Sequence, residues 1–303
     1  MSRSGANVVE PTGDPTARSR VVAHRGLPYA DVLRCRPLEL DLYVPAGQPG
    51  APELVPLLVF VHGGGWARGS RRSFGPAFDE GFFARIAGGG YVVASIDYRL
   101  SGEAVYPAQL QDVHVALDWL AEHAPAHGAD IERTVLWGES AGGHLAALAG
   151  LTRRDGATSD DGATPSTWPG GLRLVGVVDW YGPSDLRTLA AQAREDAVAH
   201  AGDPDSREAM LLGGPVAQAG ELAAQASPVT YARADAPPFL LVHGTQDRFV
   251  PVAQSEQLHA ALQAAGAECR LDLVEGADHM WLGTDAEAVL ARSLEFVADV
   301  TAR

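Results

Sequence analysis

The stretch TVLWGESAGGHLAALAGL, Thr134 to Leu151, decides the fold. Its first four residues, Thr134 to Trp137, are apolar or β-branched and read as a buried strand; Ala141 to Leu151 is rich in alanine and leucine and reads as a helix. Between them stands Gly138-Glu139-Ser140-Ala141-Gly142. Glycine on either side of the serine permits a turn too tight for a Cβ, which pushes the Ser140 hydroxyl out above the strand end. The N–H of Ala141 then opens a helix, where negative charge is favoured. A bare G-x-S-x-G is common by chance, but a strand before it and a helix after it make this one specific.

Outward from this turn the same alternation continues. Upstream, Leu57 to Val61 and Tyr91 to Ile96 are continuous apolar runs, the pattern of parallel strands buried on both faces. Leu38 to Val44 alternates apolar and polar and reads as a strand with one wet face, and Ala108 to His123 has helical spacing. Downstream, Leu172 to Trp180, Phe239 to His243 and Cys269 to Val274 read as strands, with helices at Val252 to Ala265 and Asp285 to Val300. Strand and helix alternate, so the fold class is α/β, a mostly parallel central sheet with helices on both faces. The loops after the strands' C-terminal ends then gather on one edge, where a site is expected. Residues 1–20 read as a flexible segment and 21–303 as one domain. Within it, Arg153 to Gly171 reads as a mobile surface loop, and about 183–229 as a small inserted cap.

Composition sets limits on partners. The 303 residues include 23 basic side chains, every one arginine, against 38 acidic ones, for a net charge of −15. That balance argues against nucleic acid and anionic membrane surfaces. No apolar run reaches the roughly 18 residues of a membrane span, and the N-terminus has no apolar signal core. With only Cys35 and Cys269 there is no disulfide framework, and the chain reads as cytoplasmic with free thiols.

A serine hydroxyl needs a base to take its proton. Of ten histidines, His62 and His243 adjoin glycines at strand ends and suit loop orientation, while His144, one turn into the serine helix, suits packing. His279, in the Gly276-Ala277-Asp278-His279-Met280 loop after the last strand, is the expected base. The orienting carboxylate should follow a strand between serine and histidine. Asp247, after the strand FLLVH, fits, and Asp179 and Asp185 are the alternatives. His62-Gly63-Gly64-Gly65-Trp66 offers unblocked backbone N–H groups that, with Ala141, suit an oxyanion. No H-E-x-x-H, cysteine–histidine cluster or phosphate loop is present in the sequence, so no metal or organic cofactor is implied.

The segments HGGGW, IDYRLS, YPAQLQDV, GESAGGHLAAL, LLGGP, ASPVTY, PPFLLVHGTQDRFVP, QSEQLHAAL and GADHM, which cover most of 38–298, resemble the α/β-hydrolase carboxylesterases of the BD-FAE-like and hormone-sensitive-lipase-like group. HGTQD resembles the BD-FAE-like branch more than the DPLRD-type segment of the lipase-like one. That branch often has His-Gly-Phe at the base, whereas Met280 and Trp281 follow His279 here. The resemblance implies Ser140, Asp247 and His279 as catalytic residues and Gly64, Gly65 and Ala141 as oxyanion donors. It gives Glu139 a supporting place beside the nucleophile, against a solvated surface position, and Trp66, Trp180 and Tyr181 a place in the substrate pocket, against a place in the core. The implied activity is hydrolysis of small to medium carboxylic esters through an acyl-enzyme. Two alternatives stand beside it: an amide, aryl-formamide or lactone hydrolase or acyltransferase with the same triad, and a hydrolase-fold protein that binds a ligand without turnover.

Overall fold

The computed structural model describes residues 6–9, 20–32, 35–46, 54–79, 81–152 and 171–303. Nine strands form one sheet: β1 (Ala6–Val9), β2 (Val21–Ala30), β3 (Leu38–Pro45), β4 (Val55–Val61), β5 (Val92–Ile96), β6 (Ala129–Glu139), β7 (Leu174–Trp180), β8 (Phe239–Gly244) and β9 (Cys269–Val274). Their order is β1-β2-β3-β5-β4-β6-β7-β8-β9. The first four in that order pair antiparallel, and every pair from β5 to β9 is parallel. The continuous apolar runs are thus the parallel strands.

Both faces of that sheet are covered because its side chains alternate. Leu57, Val59 and Val61 of β4 point into one core, with Leu110 and Leu117 of α2 (Ala108–His123), Leu145 and Leu148 of α3 (Ala141–Thr152) and Leu258 of α6 (Ala253–Ala265). Leu58 and Phe60 point into the other, with Phe82 and Phe83 of α1 (Phe82–Gly88) and Phe296 and Val297 of α7 (Ala286–Thr301). The insertion contributes α4 (Arg207–Leu212) and α5 (Gly220–Gln225). Residues 141–151 of α3 are all buried, which is why that helix is apolar all round.

Three expectations need correction or limits. Residues 6–9, within the segment expected to be flexible, form a strand on β2; the β-branched Val8 and Val9 suit that pairing. The second face of β3 is covered beyond the part-exposed Glu39. Tyr43 packs against Phe83, and the fully buried Asp41 takes ion pairs from Arg71 at 2.7 Å and Arg72 at 2.8 Å. The loop expected at Arg153 to Gly171 lies, but for its last residue, outside the described residues.

Candidate active site

β6 ends at Glu139 and α3 begins at Ala141, so the whole change of direction falls on Ser140, whose φ is 54°. A non-glycine residue held in that left-handed region marks a strained turn. Its neighbours must be glycine. A Cβ on Gly138 would lie 2.1 Å from the Gly142 carbonyl oxygen, and one on Gly142 would lie 2.0 Å from the Val61 oxygen. The turn is pinned by Ser140 N–H donating to the Trp180 oxygen at 2.8 Å. Ala141 opens α3, so its N–H has no acceptor within the helix.

Loops after β8 and β9 bring two more groups to the same edge. His279 Nδ1 lies 2.6 Å from Asp247 Oδ2, and His279 Nε2 lies 3.1 Å from Ser140 Oγ. A carboxylate only accepts, so Nδ1 carries the proton and Nε2 is left to receive one from the hydroxyl. The other oxygen of Asp247 accepts from the N–H groups of Phe249 and Val250, both at 2.8 Å. Burial by itself would raise the Asp247 pKa, but the His279 and His243 imidazoles beside it hold it far below the usual carboxylate range. His243 is wedged between the Ser255 hydroxyl at 2.7 Å and the Val250 oxygen at 2.9 Å, and so braces the Asp247 loop.

The alternative acids are engaged elsewhere. Asp185 pairs with Arg187 at 2.8 Å, and Asp179 accepts from the Gly182 N–H at 2.8 Å. Asp278 accepts from the N–H groups of His279 and Arg248 and fixes the loop that carries His279 rather than its imidazole. That loop is tightly wound: Met280 has φ 59° and Trp281 φ 63°, at the positions where the resembling branch often has Gly-Phe.

The glycine loop after β4 forms the third side, with Gly64 at φ 113° and Gly65 at φ 61°. A Cβ on Gly64 would meet the Arg68 carbonyl oxygen at 2.2 Å. The loop is tied to its surroundings at several points. His62 stacks on Tyr98 at 4.2 Å, and Tyr98 donates its hydroxyl to the His62 oxygen at 3.0 Å. Glu139 accepts from the Tyr181 hydroxyl at 3.0 Å and from the backbone of Gly63 and Gly75. Burial raises the Glu139 pKa against these bonds.

The expected pocket aromatics separate. Trp66 is buried and donates to His144 Nδ1 at 3.2 Å, so it fastens the glycine loop to α3 instead of lining the cleft. The single ring proton of His144 is on Nε2, which donates to the Ala226 oxygen at 2.6 Å, and burial lowers its pKa to about 4. Trp180 is buried too, bonded to Ser293 and packed edge-on against Trp137 and Trp281. Tyr181 does reach the site, its ring centre 4.5 Å from that of His279.

Next to Ser140 is a cleft of about 80 Å³. Its wall includes four residues that the sequence did not single out as site residues: Arg68, Arg207, Phe249 and Met280. Phe249 and Met280 follow Asp247 and His279 closely, a signal that was available; Arg207 arrives from the insertion and had none. A larger hollow, about 370 Å³, is lined by Arg173, Leu174, Pro237 and Pro238 near the starts of β7 and β8. That is the wrong end of the strands for this chemistry.

The BD-FAE family model matches residues 40–262. Esterase LipC of Mycobacterium tuberculosis is 33% identical over 78% of this chain and 58% of its own length. Isoprenylcysteine alpha-carbonyl methylesterase ICME of Arabidopsis thaliana is 29% identical over 84% of this chain and 56% of its own. The chain therefore spans a little over half the length of these curated relatives. Among solved structures, a truncated carbohydrate esterase from gut microbiota superposes with a TM-score of 0.75 at 27% identity, covering 93% of this chain and 96% of that one. Esterase Est2 of Thermogutta terrifontis gives 0.68 at 26% identity, covering 90% and 91%. The parallel sheet, the strained serine turn and the family match together place the chain in the BD-FAE family, with the α/β-hydrolase fold.

Proposed function

We propose that this chain hydrolyses small carboxylic esters through an acyl-enzyme formed on Ser140. The observation that carries this is the hydrogen-bonded row Ser140 Oγ, His279 Nε2 (3.1 Å), His279 Nδ1, Asp247 Oδ2 (2.6 Å), with the serine in a left-handed turn at a helix start. In this reading His279 takes the Ser140 proton as the oxygen attacks the ester carbonyl. The oxyanion rests on the N–H groups of Gly64, Gly65 and Ala141; one such donor is worth about 3–4 kcal/mol in the transition state. His279 then passes its proton to the departing alcohol, and a water activated by the same imidazole releases the acid. Asp247, accepting from His279 throughout, keeps the ring in the productive tautomer and stabilises the imidazolium.

The relatives support the chemistry by analogy. Several are described as esterases, and Thermogutta terrifontis esterase 2 has been solved with butyrate bound and phosphorylated by paraoxon. The insertion at 183–229, which delivers Arg207 to the cleft wall, is read as a cap. A volume of about 80 Å³ is well below the roughly 300–1,000 Å³ of drug-sized sites and suits a small ester. The test is labelling by a fluorophosphonate together with release of 4-nitrophenol from its acetate. Ser140→Ala should abolish both, and His279→Ala should prevent labelling. Labelling that survives the loss of His279 would remove it as the base. Parallel assays on the acetanilide and an aryl formamide separate ester from amide cleavage.

A further inference from the structure

The cleft beside Ser140 presents positive charge that ester hydrolysis alone does not use. Arg207, the first residue of α4, crosses from the insertion to the glycine loop. A Cβ on Gly65 would lie 2.2 Å from Arg207 Cδ, so the arginine stem rests directly on that glycine. The guanidinium carbon stands 5.9 Å from the centre of the Phe249 ring, and that ring is 5.1 Å from the His279 ring. Arg68 lines the same cleft.

Neither guanidinium has an ion-pair partner among the described residues. Elsewhere the chain's acidic excess is used to pair arginines: Arg187 with Asp185, Arg248 with Asp278, Arg71 with Asp41 and Asp97. Of the nearby carboxylates, Glu139 is committed to the Tyr181 hydroxyl and the loop backbone; Glu208, the next residue to Arg207, accepts from Ser206 and feels the Arg207 charge without forming an ion pair with it. Ordinary solvation accounts for Arg68, which is exposed. It does not account for Arg207, which is half-buried with its stem packed, so that its charge is offered at a fixed point. A planar guanidinium so held fits the two oxygens of a carboxylate.

The side of the ester follows from the imidazole. His279 returns its proton to the leaving oxygen, so groups stacked outward from its ring flank the alcohol half. Two rings lie against the imidazole: Tyr181 at 4.5 Å, its hydroxyl taken by Glu139, and Phe249 at 5.1 Å, tilted by 30°, with Arg207 beyond Phe249 as the group free to meet the substrate. We propose that Arg207, with Arg68 beside it, binds a carboxylate carried by the alcohol half of the substrate, so that the preferred esters are small acyl esters of hydroxy acids. This names the substrate class of the site proposed above and rests on that reading.

The test compares kcat/KM for 4-acetoxybenzoate and 4-acetoxybenzamide, which share the acetyl group and differ by one charge. Each value is divided by the ester's rate with hydroxide, which removes the difference in leaving group. The wild-type protein is expected to favour the carboxylate about tenfold, the scale of one charge-assisted contact in a partly open cleft. Arg207→Gln should bring the ratio near one and Arg207→Lys should retain part of it. Arg270→Gln, an equal loss of charge on the far surface, should leave it as in wild type. If Arg207→Gln does not fold, 0.5 M salt on the wild type must lower the ratio. A wild-type ratio at or below one, or a ratio indifferent to Arg207→Gln and to salt, overturns the inference while leaving ester hydrolysis in place. Failure to cleave either ester, with no fluorophosphonate on Ser140, overturns the underlying reading instead.

Discussion

Replacing Asp247 by asparagine changes almost no volume, and the consequence follows from which oxygen is already taken. One oxygen accepts the N–H groups of Phe249 and Val250 at 2.8 Å each, so the asparagine carbonyl must occupy that position. Its NH₂ then lies where Oδ2 stood, 2.6 Å from His279 Nδ1. Two donors cannot face each other, so the imidazole moves its proton to Nε2 and accepts at Nδ1. The nitrogen facing Ser140 at 3.1 Å is now a donor and cannot take the hydroxyl proton. A triad frozen in this tautomer loses about 10⁴ in kcat, equivalent to about 5.5 kcal/mol of barrier. The fold should survive, since both backbone bonds are kept. The one new conflict, NH₂ against His243 Nε2 at 3.4 Å, costs about 1–2 kcal/mol. The assay is kcat on 4-nitrophenyl acetate beside a urea unfolding curve on the same sample. A variant that is folded and within tenfold of wild-type kcat would refute the assignment of Asp247 and the tautomer argument with it.

Other substitutions probe the supports of the site. Trp66→Phe leaves His144 Nδ1 buried without its donor and should cost about 1–3 kcal/mol, read as a lower urea midpoint with kcat also reduced because the glycine loop is no longer tied to α3. Met280→Gly relieves a side chain held at φ 59°, but glycine also gains freedom when unfolded; stability should change by less than about 1 kcal/mol. The same change opens the cleft wall, so a series of esters of increasing bulk should shift toward the larger ones. Asp179 gives a pH signature. Burial raises its pKa to about 7, so it is protonated in the folded protein below that value, and its stabilising contribution, full below the unfolded value near 4, is lost as pH rises toward 7. Asp179→Asn should therefore gain on the wild type between pH 4 and 7, by up to about 4 kcal/mol. The opposing effect of the low-pKa His62 and His144 is common to both proteins and cancels in the difference. A difference flat with pH in paired unfolding curves would show that Asp179 is ionised in the fold.

What could be read from the chain depended on whether a residue's neighbours are set by its own segment. The serine turn is local: the strand, the flanking glycines and the apolar helix are consecutive, and the strain at Ser140 follows from them. His279 and Asp247 were legible because parallel strands deliver their loops to one edge. β2 was not, because Gly26 and Pro28 interrupt it and its pairing with β3 slips twice, erasing the period of two. Nor was α1, seven residues that end in glycines. The second face of β3 was misread because only tertiary contact brings Arg71 and Arg72 to Asp41.

The parting of the aromatics has a sharper cause, and it bears on where specificity resides. Trp180 and Tyr181 are adjacent at the end of β7, and a strand sends neighbouring side chains to opposite faces. Composition cannot say which faces the site, and the left-handed φ of 45° at Tyr181 changes the parity at that very step. Trp180 goes under α7 to Ser293 while Tyr181 goes to His279 and Glu139. Arg207 is the extreme case. It reaches Gly65 from more than 140 residues away along the chain, on a helix of six residues with no periodic pattern to announce it. The hydrogen-bonded row of Ser140, His279 and Asp247 is thus placed by the sheet and carries its signature in sequence. The groups that would choose the substrate are placed by contact across the cleft. Relatives sharing the GESAGG turn should therefore be compared by what stands over the residue equivalent to Gly65, where Arg207 here spans from the glycine loop to the Phe249 ring.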